Sequence, residues 1–91
     1  MLKYRIIVTG RVQGIGYRYF VVNAAKKYRI TGWVRNLLSE QIEALAEGEE
    51  ADINDFLEYI KTKHPYALVK NVTCSKSEIK KPEFSDFRVN F

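Results

Sequence analysis

An α+β sandwich, with two helices on one face of a mostly antiparallel sheet, is the fold class this sequence predicts. Two segments of helical period carry the prediction, together with period-two segments that flank and separate them. Neither helical segment is apolar all round, so both must bury a stripe against a common sheet. At 91 residues the chain is expected to form a single domain over 1–91 with one modest core.

The elements follow in order. Tyr4, Ile6 and Val8 alternate with Arg5, Ile7 and Thr9, which is the period of a strand. Gly10, Gly14 and Gly16 interrupt any regular element. From about Tyr17 to Arg29, Phe20 with Ala24 and Val21 with Ala25 and Tyr28 form a helical stripe. Strand character resumes at Trp33 and Val34. A third strand alternates Ile42, Ala44 and Ala46 with Glu43, Leu45 and Glu47, ending at Gly48. Ile53, Phe56, Leu57 and Ile60 then repeat at i, i+3, i+4 and i+7. This second helix has acidic residues at its start (Glu49, Glu50, Asp52) and lysines at its end (Lys61, Lys63), which suits the helix dipole. Pro65 stops it. A fourth strand is expected within Leu68 to Ile79 and a last one from Phe84 to Phe91. The order βαββαβ plus a terminal strand is ferredoxin-like, an arrangement that serves many functions and supplies none by itself.

Composition excludes several classes. With 46% hydrophobic and 29% charged residues, the chain can bury a core and is not disordered. The start, Met1-Leu2-Lys3-Tyr4-Arg5, lacks the apolar run of a signal peptide, and no apolar stretch approaches a membrane span. A reducing, cytoplasmic setting is the expected one. Cys74 is alone and reads as a small buried or half-buried strand residue. One cysteine and one histidine are too few soft ligands for structural zinc. His64, before Pro65, reads as a helix-end residue facing the dipole. The acidic residues of the third strand and second helix read as solvated faces. A net charge of +4 and a pI near 9.3 suit a small anionic substrate and weak nucleic-acid contact equally.

The chemically informative stretch is Gly10 to Arg18, between the first strand and the first helix. Three glycines in seven residues permit positive φ, so a loop here can aim successive N–H groups at one point. At a helix N-terminus such donors favour a phosphate, and Arg18 can add a planar fork for two of its oxygens. A plain strand-to-helix turn fits the same glycines. The dinucleotide fingerprint fails because Tyr19 stands where a third glycine belongs, and the Gly-Lys-Ser/Thr ending of a P-loop is absent.

Val8-Thr9-Gly10-Arg11-Val12-Gln13-Gly14-Ile15-Gly16-Tyr17-Arg18 resembles the acylphosphatase signature, with Ile15 and Tyr17 in place of the usual valine and phenylalanine. Gly32-Trp33-Val34-Arg35-Asn36, followed by Ile42 and Gly48, is similar to the family's second motif. The likeness runs on to Ser85-Asp86-Phe87. One departure stands out: the family places glycine four residues after the asparagine, where this chain has Glu40. If that position keeps positive φ, Glu40 costs on the order of 1 kcal/mol.

The resemblance implies a metal-free, cofactor-free hydrolase of acyl phosphates that releases a carboxylate and inorganic phosphate. It implies that the backbone of Gln13, Gly14, Ile15, Gly16 and Tyr17, with the Arg18 guanidinium, binds the phosphoryl group. Asn36 would orient the attacking water. The matched site holds no carboxylate of the kind magnesium usually requires. The expected partner is therefore a small-molecule acyl phosphate, with no nucleic acid or membrane, acting on a monomer. Two alternatives are a module dedicated to one substrate such as carbamoyl phosphate, and an RNA-binding sheet suggested by Tyr19-Phe20-Val21.

Overall fold

The computed structural model describes residues 1–91. The order is β1 (Leu2–Arg11), α1 (Tyr17–Lys27), β2 (Thr31–Asn36), β3 (Gln41–Gly48), α2 (Glu50–Thr62), β4 (Leu68–Glu78) and β5 (Phe87–Val89). The sheet order is β4-β1-β3-β2-β5, so the expected ferredoxin-like arrangement with an added strand is present. Every pairing is antiparallel except β2 with β5, which is parallel. No helix is long and apolar enough to cross a membrane.

Alternation decides the two faces of the sheet. Tyr4, Ile6 and Val8 of β1, Val34 of β2, and Ile42, Ala44 and Ala46 of β3 are buried on the face that receives the helices. Tyr17, Val21, Ala24 and Ala25 of α1 meet them, as do Ile53, Phe56 and Ile60 of α2. Small alanines in the middle of β3 let the helices approach the sheet closely, while the branched chains around them fill the remaining volume. Each large side chain buried here is worth about 1.5–3 kcal/mol of transfer free energy.

Four boundaries or burial states depart from the sequence reading. First, α1 ends at Lys27, ahead of Arg29, because a left-handed residue closes it. Arg29 has φ 61°, and Ile30 N–H donates to Ala25 O at 2.8 Å while Arg29 N–H reaches Lys26 O at 3.5 Å. These are the paired bonds of a Schellman ending, with arginine where glycine is usual. Second, the terminal strand is confined to Phe87–Val89, since only Gly32 to Val34 of β2 remain to pair with it. Residues 83 and 84 are held instead by their N–H groups on the Glu47 carboxylate.

Third, Cys74 is exposed rather than buried. It lies opposite Ile6 on the helix side of β4, but α1 covers β2 and β5 and α2 covers β3, so the outermost strand has no residue fully enclosed. Fourth, Glu43 and Glu47 of β3 are fully buried, not solvated. Both point to the face opposite the helices. Glu43 sits between Arg5 of β1 and Arg35 of β2, with Arg5 Nε donating to Oε2 at 2.5 Å and Arg35 Nε to Oε1 at 2.7 Å. Burial pushes this carboxyl up, yet the bonds from Arg35 and Arg5 outweigh it and hold Glu43 below the usual carboxylate range. Glu47 accepts from Thr31 Oγ1 at 2.9 Å besides the two loop amides. Of the acids of α2, Glu50, Asp55 and Glu58 are exposed as expected, and Asp52 is half-buried.

Tyr19, Phe20 and Val21 lie in α1. They therefore cannot act as aromatic positions of a strand that stacks bases.

Candidate active site

The site is built where β1 runs into α1. At Gly10 the β1–β4 register shifts, with Lys70 the extra residue on β4. A Cβ at Gly10, whose φ is 144°, would stand 2.0 Å from Leu68 O, so only glycine lets the strands close there. Val12 is buried and anchors the loop beyond. Gly14 and Gly16 both have φ 75°, and Gly16 occupies the N-cap of α1 in the left-handed conformation. A glycine at the N-cap brings no side-chain oxygen to the first amides.

Those amides stay unspent. Phe20 N–H is the first to bond back, to Gly16 O at 3.1 Å, and no side chain caps the helix. The first turn contains no acidic residue, so the positive end of the dipole is uncompensated. Arg18, half-buried in that turn, has no carboxylate partner, whereas Arg5, Arg35 and Arg88 are all paired. Its guanidinium carbon lies 5.4 Å from the centre of the Phe91 ring. The bent glycine loop, the free amides and Arg18 thus follow one another along the chain at the start of α1, with no acidic residue in that turn.

Tyr17 differs from the other loop residues. Its ring is buried, and its hydroxyl donates to Ile60 O at 2.6 Å. Burial pushes the phenol pKa well above its ordinary value. Only its backbone is available to a ligand. The side chain fixes the start of α1 onto α2.

Asn36 ends β2, opposite Ile42 of β3, and is exposed. Two residues after Val34, it shares the helix-side face, the side on which α1 and its loop lie. The hairpin that follows, Leu37 to Glu40, is tied to the loop. Gln13 Nε2 donates to Leu38 O at 2.6 Å and to Gln41 O at 2.7 Å. Gly10 N–H donates to Glu40 O at 2.8 Å. Glu40 has φ 62°, at the third position of a turn closed by Gln41 N–H on Leu38 O at 3.0 Å. Positive φ is what a type II turn requires there, so the departure from glycine is borne by a strained glutamate and not by a different backbone.

His64 lies elsewhere. It follows the end of α2, and its Nδ1 accepts N–H bonds from Tyr66 and Ala67, both at 3.1 Å, instead of facing the helix dipole. Its ring packs edge-on to Phe20 at 5.0 Å and Tyr17 at 5.6 Å. The side-chain bonds of Gln13 and the burial of Glu43 between two arginines were not read from the sequence. The signal for Glu43 existed, because Arg35 and Arg5 fall directly and diagonally across from it once the register is known.

Strand order and helices on one face define a small ferredoxin-like protein in which a glycine-bent loop leads from β1 into the N-terminus of α1. The acylphosphatase family model matches residues 4–89. The chain is 46% identical over 77 residues to an acylphosphatase of Bacillus subtilis (strain 168), covering 85% of each chain. A crystal structure of acylphosphatase from Bacillus subtilis covers 100% of both chains with a TM-score of 0.91 and 40% identity. A crystal structure of full-length HypF in the phosphate- and nucleotide-bound form is 33% identical with a TM-score of 0.81, matching all of this chain and 12% of that one. The chain belongs to the acylphosphatase family, and membership makes it an enzyme of acyl phosphate hydrolysis.

Proposed function

We propose that Arg18 and the backbone amides from Gln13 to Tyr17 bind the phosphoryl group of an acyl phosphate, and that Asn36 orients the water that attacks it. The observation that carries this reading is the unpaired Arg18 beside the free amides of α1, with no acid in the first turn. A dianionic phosphoryl group supplies the charge this corner lacks.

The chemistry asks little proton transfer of the protein. Water oxygen forms a bond to phosphorus while the bond from phosphorus to the carboxyl oxygen breaks, and the electron pair leaves on a carboxylate. Phosphoryl transfer spreads charge over the equatorial oxygens, so positioning and charge stabilisation dominate. The Asn36 carboxamide accepts from or donates to the water without becoming a base. The water proton passes to a phosphate oxygen, giving inorganic phosphate. A substrate with less basic phosphate oxygens that reacts at an unchanged rate would refute that last transfer.

The substrate in this reading is a free small-molecule acyl phosphate, met by a monomer in the cytoplasm without metal or cofactor. The deciding experiment is benzoyl phosphate hydrolysis in the presence of EDTA, comparing the wild type with Arg18→Ala and Asn36→Ala. Turnover that survives EDTA and is lost in both variants supports the assignment. Full activity in either variant removes that residue from it.

A further inference from the structure

The Gln13 side chain has a role separate from that of its backbone. Both hydrogens of its Nε2 are spent on carbonyls of the β2–β3 hairpin, Leu38 O and Gln41 O, which lie 25 and 28 residues away in sequence. Neither carbonyl needs that bond to be satisfied. Leu38 O already accepts Gln41 N–H at 3.0 Å, and Gln41 O already accepts Leu37 N–H at 3.1 Å. The hairpin therefore closes by itself, and what Gln13 adds is a connection between two segments.

The connected segments are the two halves of the site. Gln13 opens the loop that leads to Arg18, and Leu37 follows Asn36 directly. Leu37 to Glu40 are all exposed, so packing does not hold the hairpin tip. The turn also carries positive φ on Glu40, a conformation an ordinary side chain resists. An exposed, strained turn keeps one conformation only when its surroundings over-determine it. Gly10 N–H on Glu40 O is one such restraint, and the Gln13 carboxamide supplies the other two.

We propose that Gln13 is a positioning residue: its carboxamide holds the β2–β3 hairpin, and with it Asn36, in fixed relation to the phosphate loop. The inference rests on the reading of Arg18 and Asn36 given above. Displacing a positioned group by about 1 Å can cost 100-fold in rate. Gln13→Met keeps length and removes the donors. Its kcat on benzoyl phosphate should fall by about 10-fold or more, because the water is misaimed. KM and inhibition by inorganic phosphate should stay within about 2-fold, since the loop amides and Arg18 are untouched.

The test is a double-mutant cycle. In an Asn36→Ala background, Gln13→Met should lower kcat no further, because the group it aims is gone. Gln13→Glu supplies a second variant of the same shape. Its carboxylate faces two carbonyls without a hydrogen to give, and its kcat relative to wild type should recover as pH falls and the protonated carboxyl regains one donor. Undiminished kcat in Gln13→Met, an equal loss in the Asn36→Ala background, or a loss confined to phosphate affinity would each overturn the proposal. Side-chain amide NMR of Asn36 in Gln13→Met, recorded without substrate, keeps the two readings separable. If the wild type fails to turn over acyl phosphate, the assigned reaction falls, and Asn36 resonances that do not move overturn the tether as well.

Discussion

The hydroxyl of Tyr17 donates to the carbonyl of Ile60 at 2.6 Å, so the first residue of α1 is fastened to the last turn of α2. That carbonyl lies in the last turn, where helix carbonyls run out of intrahelical donors. Tyr17→Phe should cost about 1–2 kcal/mol, read from the urea midpoint at constant m-value. The pH dependence has a definite sign. Burial raises the phenol pKa in the folded state. The contribution is therefore complete below the unfolded value of about 10 and is lost as pH rises from there toward the folded value. Tyr17→Phe should flatten the alkaline decline in stability, and an unchanged decline would show that Tyr17 is not its source.

Glu43 should be a source of acid sensitivity. Its burial is outweighed by the bonds from Arg35 and Arg5, and the net pKa is lowered. Stability from this group is present above about pH 4.3, the unfolded value, and is lost as pH falls through the folded one. Glu43→Gln should destabilise at pH 7 by about 2–3 kcal/mol, below the range for fully buried pairs because both arginines are partly exposed. The same variant should lose less stability than wild type between neutral pH and pH 3. A parallel decline in both proteins would refute the assignment.

Two non-glycine residues hold positive φ, Arg29 at 61° and Glu40 at 62°. Glu40→Gly and Arg29→Gly should each stabilise by up to about 1 kcal/mol. For a chain of this size that corresponds to a rise in melting temperature of about 4–8 °C. A lower melting temperature in Glu40→Gly would mean that its side chain contributes more than its backbone costs.

Inorganic phosphate should raise the melting temperature of the wild type, by the linkage between ligand and folded state. Arg18→Ala should abolish that rise together with turnover. Arg18→Lys should restore little of either, because a point charge does not replace a planar fork. Asn36→Ala should keep the phosphate-induced rise and lose rate. A variant of Asn36 blind to phosphate would place that residue in binding.

Most of the fold was legible because period and burial agree: Ile6 and Val8, Ile42 and Ala44, and Ile53, Phe56 and Ile60 all point where their spacing says. The two misreadings of burial share one cause. Cys74 and Glu43 both alternate as strand residues should, but exposure depends on strand order. β4 lies at the edge, so a helix-side cysteine stays open, and β3 lies in the middle, so a solvent-side glutamate is roofed by arginines from both neighbours. Helix ends were off where a backbone motif, not a breaker residue, closed the helix, as at Arg29. For the candidate site, the motif order singles out the loop, Arg18 and Asn36. The Gln13 bonds were invisible, since they depend on where the hairpin carbonyls point.

The open position of β4 has a consequence for the chain in concentrated solution. Its outward backbone groups are a template onto which another strand could add. The residues offered there include Lys70, Asn71, Thr73, Ser75, Lys76 and Ser77, with no fully enclosed apolar row. A strand arriving at that border would strip water from two ammonium groups and gain little apolar contact in return. The eleven residues that contribute least to the core are thus also those that offer an added strand the least.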